Sequence, residues 1–281
     1  MAGKQRKIIW WWRILWLIGL IILWWMVFHQ PVSEPPSLEE QILESTALTD
    51  QPAVGQLVQS LPEGIVIEPS KSAVESEAIV EPAQNINQQI LLEVPFTCQA
   101  PDAHWADDHF QDGCEEAVVL MAMAWVRGES LDKIKAKQAI LDLSAWQEEN
   151  YGNYYDTSAS DTAERLIKGY YKYDNFEVEY DISIADIKEE LAQGYLVLVP
   201  TNGQWLNNPH FTQPGPVTHM VVIRGYDPDS QEFITNDPGT KYGQGYRYNV
   251  SVLLAAIRDY PTGRHEPILE TKTAMIVVKP E

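Results

Sequence analysis

Basic residues are scarce in this chain. Its 20 lysines and arginines stand against 40 aspartates and glutamates, which gives a formal net charge of -20. Outside the N-terminal tail the sequence shows no basic patch that could neutralise phosphate groups. It also shows no glycine-rich phosphate loop and no dinucleotide fingerprint. Nucleic acid is therefore not expected as a partner, and no cofactor is expected.

Cysteine is nearly absent as well, since Cys98 and Cys114 are the only two in the chain. A disulfide between them is one alternative if the protein lies in an oxidising compartment, and two free thiols are the other. The histidines between them, His104 and His109, do not complete a spacing that is typical of zinc ligands. No metal site is therefore expected.

Aromatic residues are missing from a long stretch near the N-terminus. Phe, Tyr and Trp do not occur between His29 and Leu91, and Lys71 is the only lysine or arginine there. The stretch is rich in Pro, Glu, Gln and Ser, so it cannot bury enough apolar area to offset its ordering entropy. We predict that residues 29–89 form a disordered tether whose ends lie roughly 40 Å or more apart.

A long apolar run precedes this tether. Residues 8–28 contain Arg13 as their only charged residue and have tryptophans near both ends. A helix of that length spans about 31 Å, close to the thickness of the hydrocarbon core, and the tryptophans are typical of an aromatic belt. No small-residue cleavage site follows, so an uncleaved anchor is favoured over a signal peptide. The sequence predicts a transmembrane helix at residues 8–28.

The charges around this run predict its orientation. The basic residues before it are Lys4, Arg6 and Lys7, and the next one after it is Lys71. The positive-inside rule then places residues 1–7 in the cytoplasm and everything after the anchor outside. We expect a single-pass protein of the cell membrane whose domain at residues 90–281 is extracytoplasmic.

Periodic patterns from residue 90 onward predict the elements of this domain. The helices come first and the strands cluster late, which favours an α+β fold over alternating α/β. Helices are predicted at residues 114–127, 131–146, 160–171, 183–193 and 250–259. Strands are predicted at residues 92–96, 176–180, 195–200, 217–226, 232–236, 245–248 and 271–279.

Three residues in this domain suggest nucleophilic catalysis. Cys114 follows Gly113 at the start of a predicted helix, where free N–H groups and the helix dipole favour a thiolate. His219 begins a predicted apolar strand, and Asp237 ends the next one. A thiol, a base and a carboxylate that orients the base are the set that such catalysis needs. We expect a thiolate–imidazolium pair, although Glu115 would raise the pKa of the thiol if it faces the sulfur.

The residues around these three follow a known pattern. The pattern resembles the C39-like peptidases, which are papain-like cysteine peptidases related to bacteriocin-processing domains, and the resemblance covers roughly residues 90–280. The stretches that carry it are Val94-Pro95-Phe96-Thr97-Cys98-Gln99, Gly113-Cys114, His219-Met220-Val221-Val222-Ile223 with Gly225-Tyr226-Asp227 after it, and Asn236-Asp237-Pro238.

The resemblance implies a helix-borne cysteine packed on an antiparallel sheet. It also implies that Cys114 is the nucleophile, His219 the base and Asp237 its orienter, and that Gln99 helps to form the oxyanion hole, which a neutral amide donor suits. The expected function is a cysteine peptidase-like hydrolase that cleaves a peptide or another amide, with a peptide or protein as its substrate. A catalytically silent module that binds peptides or cell-envelope partners is the alternative, and acyl transfer to an amine is a third.

The orienter and the base each have a rival in the sequence, and two residues are candidates for substrate binding. Asn236 could replace Asp237 as the orienter, and His210 is a rival to His219 as the base. His210 belongs to a loop rich in Pro and Gly, residues 207–215, which we expect to lie over the site as a lid or substrate wall. Trp105 is either a packing residue or part of a substrate groove. His210 and Trp105 are therefore candidate substrate-binding residues.

Overall fold

The structure of the protein is a computed structural model that describes residues 88–269 and 272–280. The predicted segments at residues 1–7 and 8–28, and almost all of the tether predicted at residues 29–89, lie outside the described residues. Among the helices that the structure does describe, none combines the length and the apolar character needed to span a membrane.

The described residues form an α+β domain, as the sequence predicts. The helices are α1 (Asp108–Gln111), α2 (Cys114–Arg127), α3 (Lys133–Tyr151), α4 (Ala159–Thr162), α5 (Ile184–Ala192) and α6 (Val250–Ala256). Helix α4 runs directly into a π-helical stretch, Ala163–Tyr170. The strands are β1 (Ile90–Leu91), β2 (Phe176–Tyr180), β3 (Leu196–Thr201), β4 (His219–Asp227), β5 (Glu232–Asn236), β6 (Gln244–Asn249) and β7 (Ala274–Val278).

All seven strands join one antiparallel sheet. Its order is β2-β7-β3-β4-β5-β6, and β1 pairs with β4 beside the start of β3. Successive side chains of a strand point to opposite faces, and in β3, β4 and β7 both faces are covered. One face packs against α2, α3 and the π-helical stretch, and the other packs against α5 and α6. This double burial explains why these strands are continuous apolar runs in the sequence.

Helix α2 begins and ends where the sequence predicts. Gly113 is its N-cap, and Gly128 ends it with a left-handed backbone (φ 64°). A glycine adopts this conformation without a steric penalty, so the helix stops there. Every residue from Cys114 to Ala124 is buried, which confirms the prediction of a buried helix. The helix lies between β4 and α3, and it carries Cys114 at its first position.

The predicted strand at residues 92–96 is wrong. Only Ile90 and Leu91 pair with β4, and the chain then leaves the sheet. Pro95 has no backbone N–H with which to continue a ladder. The carbonyls of Val94 and Pro95 instead accept hydrogen bonds from the side chain of Asn236, at 3.2 and 3.3 Å.

Two helices end several residues away from their predicted ends: α3 continues past residue 146 to Tyr151, and α6 ends at Ala256 and not at residue 259. Helix α1 was not predicted from the sequence. The cap chemistry of α5 is confirmed, because Ser183 and Asp186 form a reciprocal capping box. Strands β4 and β5 form the predicted hairpin.

Candidate active site

A cleft of about 1310 Å³ holds most of the residues that the sequence predicts for the site. Cys114 reaches it from the start of α2, and His219 reaches it from the start of β4. The other predicted residues in its walls are Gln99, Trp105 and His210. Asp237, the remaining one, is fully buried and contacts His219.

His219 and Asp237 form a buried pair. The Nε2 atom of His219 lies 2.8 Å from Oδ1 of Asp237, and the two residues are 1% and 0% exposed. This contact occupies Nε2, and within the described part of the chain Nδ1 of His219 has no hydrogen-bond partner. An imidazole held through one nitrogen presents the other for proton transfer. The structure thus pairs the carboxylate with His219 and not with the rival His210.

Several other groups hold the Asp237 carboxylate. Oδ1 accepts the backbone N–H of Gly239 at 2.9 Å, while Oδ2 accepts the hydroxyl of Tyr248 at 2.5 Å and the amide of Asn208 at 3.2 Å. Burial alone disfavours the ionised form. The charge of His219 and the hydrogen bonds from His219, Tyr248 and Gly239 outweigh it and lower the pKa of Asp237. The Asp237 carboxylate is therefore ionised.

The surroundings of Cys114 differ from those that the sequence predicts. Its thiol is buried and donates a hydrogen bond to Oε2 of Glu115 at 3.0 Å. Burial, then the charge and hydrogen bond of Glu115, and then Asp156 and Glu116 raise the pKa of the thiol well above its ordinary value. The predicted lowering of the pKa is therefore wrong in direction, because burial and nearby carboxylates outweigh the start of the helix.

Glu115 is itself firmly positioned. Its Oε1 accepts the hydroxyl of Tyr260 at 2.7 Å and the backbone N–H of Thr157 at 3.2 Å. Burial, followed by the charge of Asp156, raises the pKa of Glu115 to about 7. The neighbouring Glu116 points elsewhere and accepts the side-chain amide of Gln147 at 2.6 Å.

Further acidic residues line the cleft next to Cys114. The carboxylate of Asp156 accepts the hydroxyl of Thr218 at 2.8 Å and the backbone N–H of His265 at 3.0 Å. The imidazole of His265 also lies between Asp156 and Asp112, at 3.2 and 3.5 Å. Sequence reasoning missed Asp156 and Tyr260. Neither belongs to a local motif, and only the tertiary fold brings them to α2.

Gln99 lies in the wall of the cleft, but its amide is already engaged. Its Nε2 donates to the carbonyls of Phe110 and Gln111 at 3.0 and 2.9 Å, which uses both hydrogens. The side chain thereby anchors α1 just before Gly113. The backbone N–H of Cys114 has no intrahelical acceptor, because it is among the first of α2. The oxyanion role of Gln99 stays a prediction.

The other candidates take three different positions. Trp105 is half-buried against the core and also lines the cleft. His210 is exposed, and its ring lies tilted by 39° against that of Tyr242, with ring centroids 4.7 Å apart. Asn236, the alternative orienter, uses its amide on the carbonyls of Val94 and Pro95. His210 and Trp105 thus lie on cleft walls, where contact with a substrate is possible.

The two cysteines are free thiols. Both are buried, and no bond joins them. Cys98 lines the same cleft, and burial raises the pKa of its thiol. Across residues 88–269 and 272–280, no group of three or more His, Cys, Asp or Glu side chains is arranged to hold a metal ion.

A cysteine at the start of a buried helix that packs on an antiparallel sheet, with a buried His–Asp pair beside the same cleft, is typical of the papain-like fold. The sequence profile of the Peptidase_C39 like family matches residues 91–261. The chain belongs to this family.

A crystal structure from Bacillus anthracis, described as that of a C39-like peptidase, has 18% sequence identity and a TM-score of 0.41. That match covers 69% of this chain and 100% of the other. No curated protein sequence matches the chain significantly.

Proposed function

We propose that the domain is a cysteine hydrolase that cleaves a peptide or another amide through Cys114, His219 and Asp237. The observation that carries this proposal is the shared cleft. It holds a thiol at the start of α2 and an imidazole that an ionised carboxylate fixes through Nε2. Membership of a peptidase-like family supports the reaction class.

The arrangement supports a two-step acyl transfer to water. Sγ of Cys114 attacks the carbonyl carbon, and the free N–H groups at the start of α2 face the developing oxyanion. His219, oriented by Asp237, protonates the leaving amine and then takes a proton from the attacking water. As the sulfur–carbon bond forms, the thiol proton moves to a base of the cleft, either an imidazole or a carboxylate, because the raised pKa of Cys114 disfavours a resting thiolate.

The walls of the cleft suit a peptide. At about 1310 Å³ it exceeds the usual size of a small-molecule pocket, which is roughly 300–1,000 Å³. Trp105 and Phe96 provide apolar surface on its walls, as do Val217 and Tyr242. Apolar walls beside polar reactive groups are typical of a site that holds side chains next to the bond that reacts.

A silent binding module is the second candidate. One observation favours it: Cys114 is buried, its thiol donates to Glu115, and its pKa is raised. A thiol in this state reacts slowly unless a base removes its proton. Under this alternative the cleft would bind a peptide without cleaving it.

A peptide library and a thiol reagent together test the proposal. The full-length chain and its Cys114→Ala variant are incubated with mixed peptides, and the products are identified by mass spectrometry. Wild-type protein should produce new termini and the variant none, while Cys98→Ala, the matched control, should keep at least half of the activity. Peptides that bind wild-type protein but stay uncut would favour the silent module. Equal cleavage by Cys114→Ala would refute the assigned nucleophile.

We also propose that residues 8–28 anchor the chain in the cell membrane, with the domain outside. The support is the apolar run after Lys4, Arg6 and Lys7. Protease added to intact cells should release a fragment that contains the domain. A domain that stays protected until the cells are lysed would contradict this topology.

A further inference from the structure

The contact between Cys114 and Glu115 has no part in the Cys–His–Asp scheme. Sγ of Cys114 donates to Oε2 of Glu115 at 3.0 Å, and the structure gives the thiol no other hydrogen bond within the described residues. Glu115 is 2% exposed and Cys114 is 4% exposed. Water therefore competes little for either group, and the thiol proton points at a carboxylate oxygen.

The carboxylate of Glu115 is oriented for this contact. The hydroxyl of Tyr260 and the backbone N–H of Thr157 both donate to Oε1, at 2.7 and 3.2 Å. With Oε1 satisfied, Oε2 is left for the sulfur. Tyr260 is itself buried. The Tyr260 hydroxyl, the Thr157 N–H and the Cys114 thiol together fix the orientation of the Glu115 carboxylate. Such preorganisation is what proton transfer in a transition state requires.

The charges around the pair define its proton chemistry. The charges of Asp156 and Glu116 raise the pKa of the thiol, Tyr260 donates its hydroxyl to Glu115, and His219 lines the same cleft. Burial and then Asp156 raise the pKa of Glu115 to about 7. A carboxylate with such a pKa is a much stronger base than an ordinary one and is ionised at slightly alkaline pH. A resting thiolate would add another negative charge to this group, which disfavours it.

We propose that Glu115 is a further catalytic residue, whose carboxylate accepts the proton of Cys114 as sulfur bonds to the substrate carbonyl. The inference rests on the proposed function and divides its proton transfers between two groups. Glu115 serves the thiol, and the His219–Asp237 pair serves the leaving amine and the water.

The two steps balance with His219 protonated at the start. As the bond from Sγ to the carbonyl carbon forms, the S–H bond breaks and its proton moves to Oε2 of Glu115. The carbon–nitrogen bond then breaks, and His219 gives its proton to the amine. Water attacks the thioester and returns a proton to His219. The carbon–sulfur bond breaks last, and Cys114 recovers its proton from Glu115.

The reaction of Cys114 with chloroacetamide tests this role without any substrate. The full-length chain is alkylated between pH 5 and 10, and mass spectrometry of the peptide that contains Cys114 gives the rate. The wild-type rate should rise through about pH 7, the pKa of Glu115, and then level off. Glu115→Gln should lose this rise and react about 10²-fold more slowly at pH 7.5, the lower end of general-base effects.

Glu116→Gln is the matched control. It removes an adjacent buried carboxyl group that contacts Gln147 and not the thiol, so the profile should keep its shape. Faster alkylation in Glu115→Gln than in wild-type protein would overturn the proposal, because the carboxylate would then only suppress the thiolate.

Tyr260→Phe keeps the carboxylate and provides a second test. The hydrogen bond from Tyr260 lowers the pKa of Glu115, so its loss should move the inflection to higher pH. An inflection that stays in place would show that another group titrates. If wild-type protein cleaves peptides but Glu115→Gln keeps the inflection in its alkylation rate, the role of Glu115 is refuted and the hydrolase stands. If Glu115→Gln loses the inflection but wild-type protein cleaves no peptide, the hydrolase is refuted and the contact between Glu115 and the thiol stands.

Discussion

The sheet half of the site (His219 and Asp237) and the helix half (Cys114 and Glu115) shift the pKa of a buried carboxyl group in opposite directions. On the sheet, the negative charge of Asp237 meets His219, Tyr248 and Asn208, and its pKa is lowered. On the helix, Glu115 meets a thiol and other acids, and its pKa is raised to about 7. The sheet half therefore stabilises a fixed ion, whereas the helix half holds groups whose protons can move.

Because of this difference, changes in the two halves should affect the free energy of unfolding and the pH dependence differently. A buried ion that loses a partner becomes an uncompensated buried charge, so removing a partner lowers the free energy of unfolding. An unmatched buried carboxyl group favours the protonated state and makes stability depend on pH near neutrality. Changes in the sheet half should therefore affect folding and catalysis together, and changes in the helix half should mainly affect pH dependence.

The largest effect is expected for His219→Ala. Loss of the acid and base should reduce turnover by about 10²–10⁴-fold. His210→Ala tests the rival base. Because His210 is exposed and packs against Tyr242, its turnover at saturating peptide should stay within about threefold of wild type, even if peptide binding weakens. Steady-state rates on a cleaved peptide measure both. Equal losses in the two variants would undo the assignment of His219.

Asp237→Asn should lower stability as well as turnover. The substitution removes the charge that pairs with His219 and should cost roughly 3–5 kcal/mol of unfolding free energy, as for one partner of a buried pair. Because the folded-state pKa of Asp237 is lowered, its stabilising effect is present above the unfolded pKa. It is lost as the pH falls through the folded value. Urea unfolding at pH 7 and pH 3 should therefore show a larger difference between wild type and variant at pH 7.

Glu116→Gln should change stability without removing a contact to the reacting sulfur. Burial and the charge of Glu115 raise the pKa of Glu116, so the folded state binds its proton more tightly than the unfolded state. Its stabilising effect is complete below the unfolded pKa and is lost as the pH rises through the folded value. Wild-type protein should melt at a higher temperature at pH 5 than at pH 8, and the variant should show a smaller difference. A steeper dependence in the variant would contradict the assignment.

Tyr248→Phe should have the smallest effect. It removes one of the donors to Asp237 Oδ2 while Asn208 remains, and should cost roughly 1.5–3 kcal/mol, the usual range for a hydrogen bond to a charged group. Turnover should fall by less than about tenfold, since His219 still contacts Oδ1. Calorimetry and peptide kinetics measure the two effects. A loss of turnover as large as that of His219→Ala would mean that Tyr248 takes part in the reaction.

Local patterns were sufficient for the elements that carry the predicted residues. Gly113 and Gly128 mark the ends of α2, and the apolar runs identify β3 and β4, because these signals depend on neighbours in sequence. The resemblance to a family then indicated that Cys114 and His219 share a site, and both line one cleft.

The contacts that determine the state of the thiol could not be predicted in this way. Glu115 was recognised as a carboxylate that could face the sulfur, but its direction depends on Tyr260, which lies 145 residues further along the chain. Asp156 likewise reaches the cleft through contacts with Thr218 and His265. Burial and the sum of these charges, which reverse the predicted shift of the pKa, exist only in the folded structure.

Contacts at the end of β5 bear on how far the domain can be shortened at its N-terminus. Asn236 holds the carbonyls of Val94 and Pro95, and the backbone N–H of Gln99 donates to the carbonyl of Pro238 at 2.9 Å. The turn that carries Asp237 is thus clamped on both sides by the stretch between β1 and α1. That stretch supports the turn that holds the His219 imidazole through Asp237, and a truncation that starts at residue 100 removes it. A shortened domain that keeps this support therefore has to include residues 94–99.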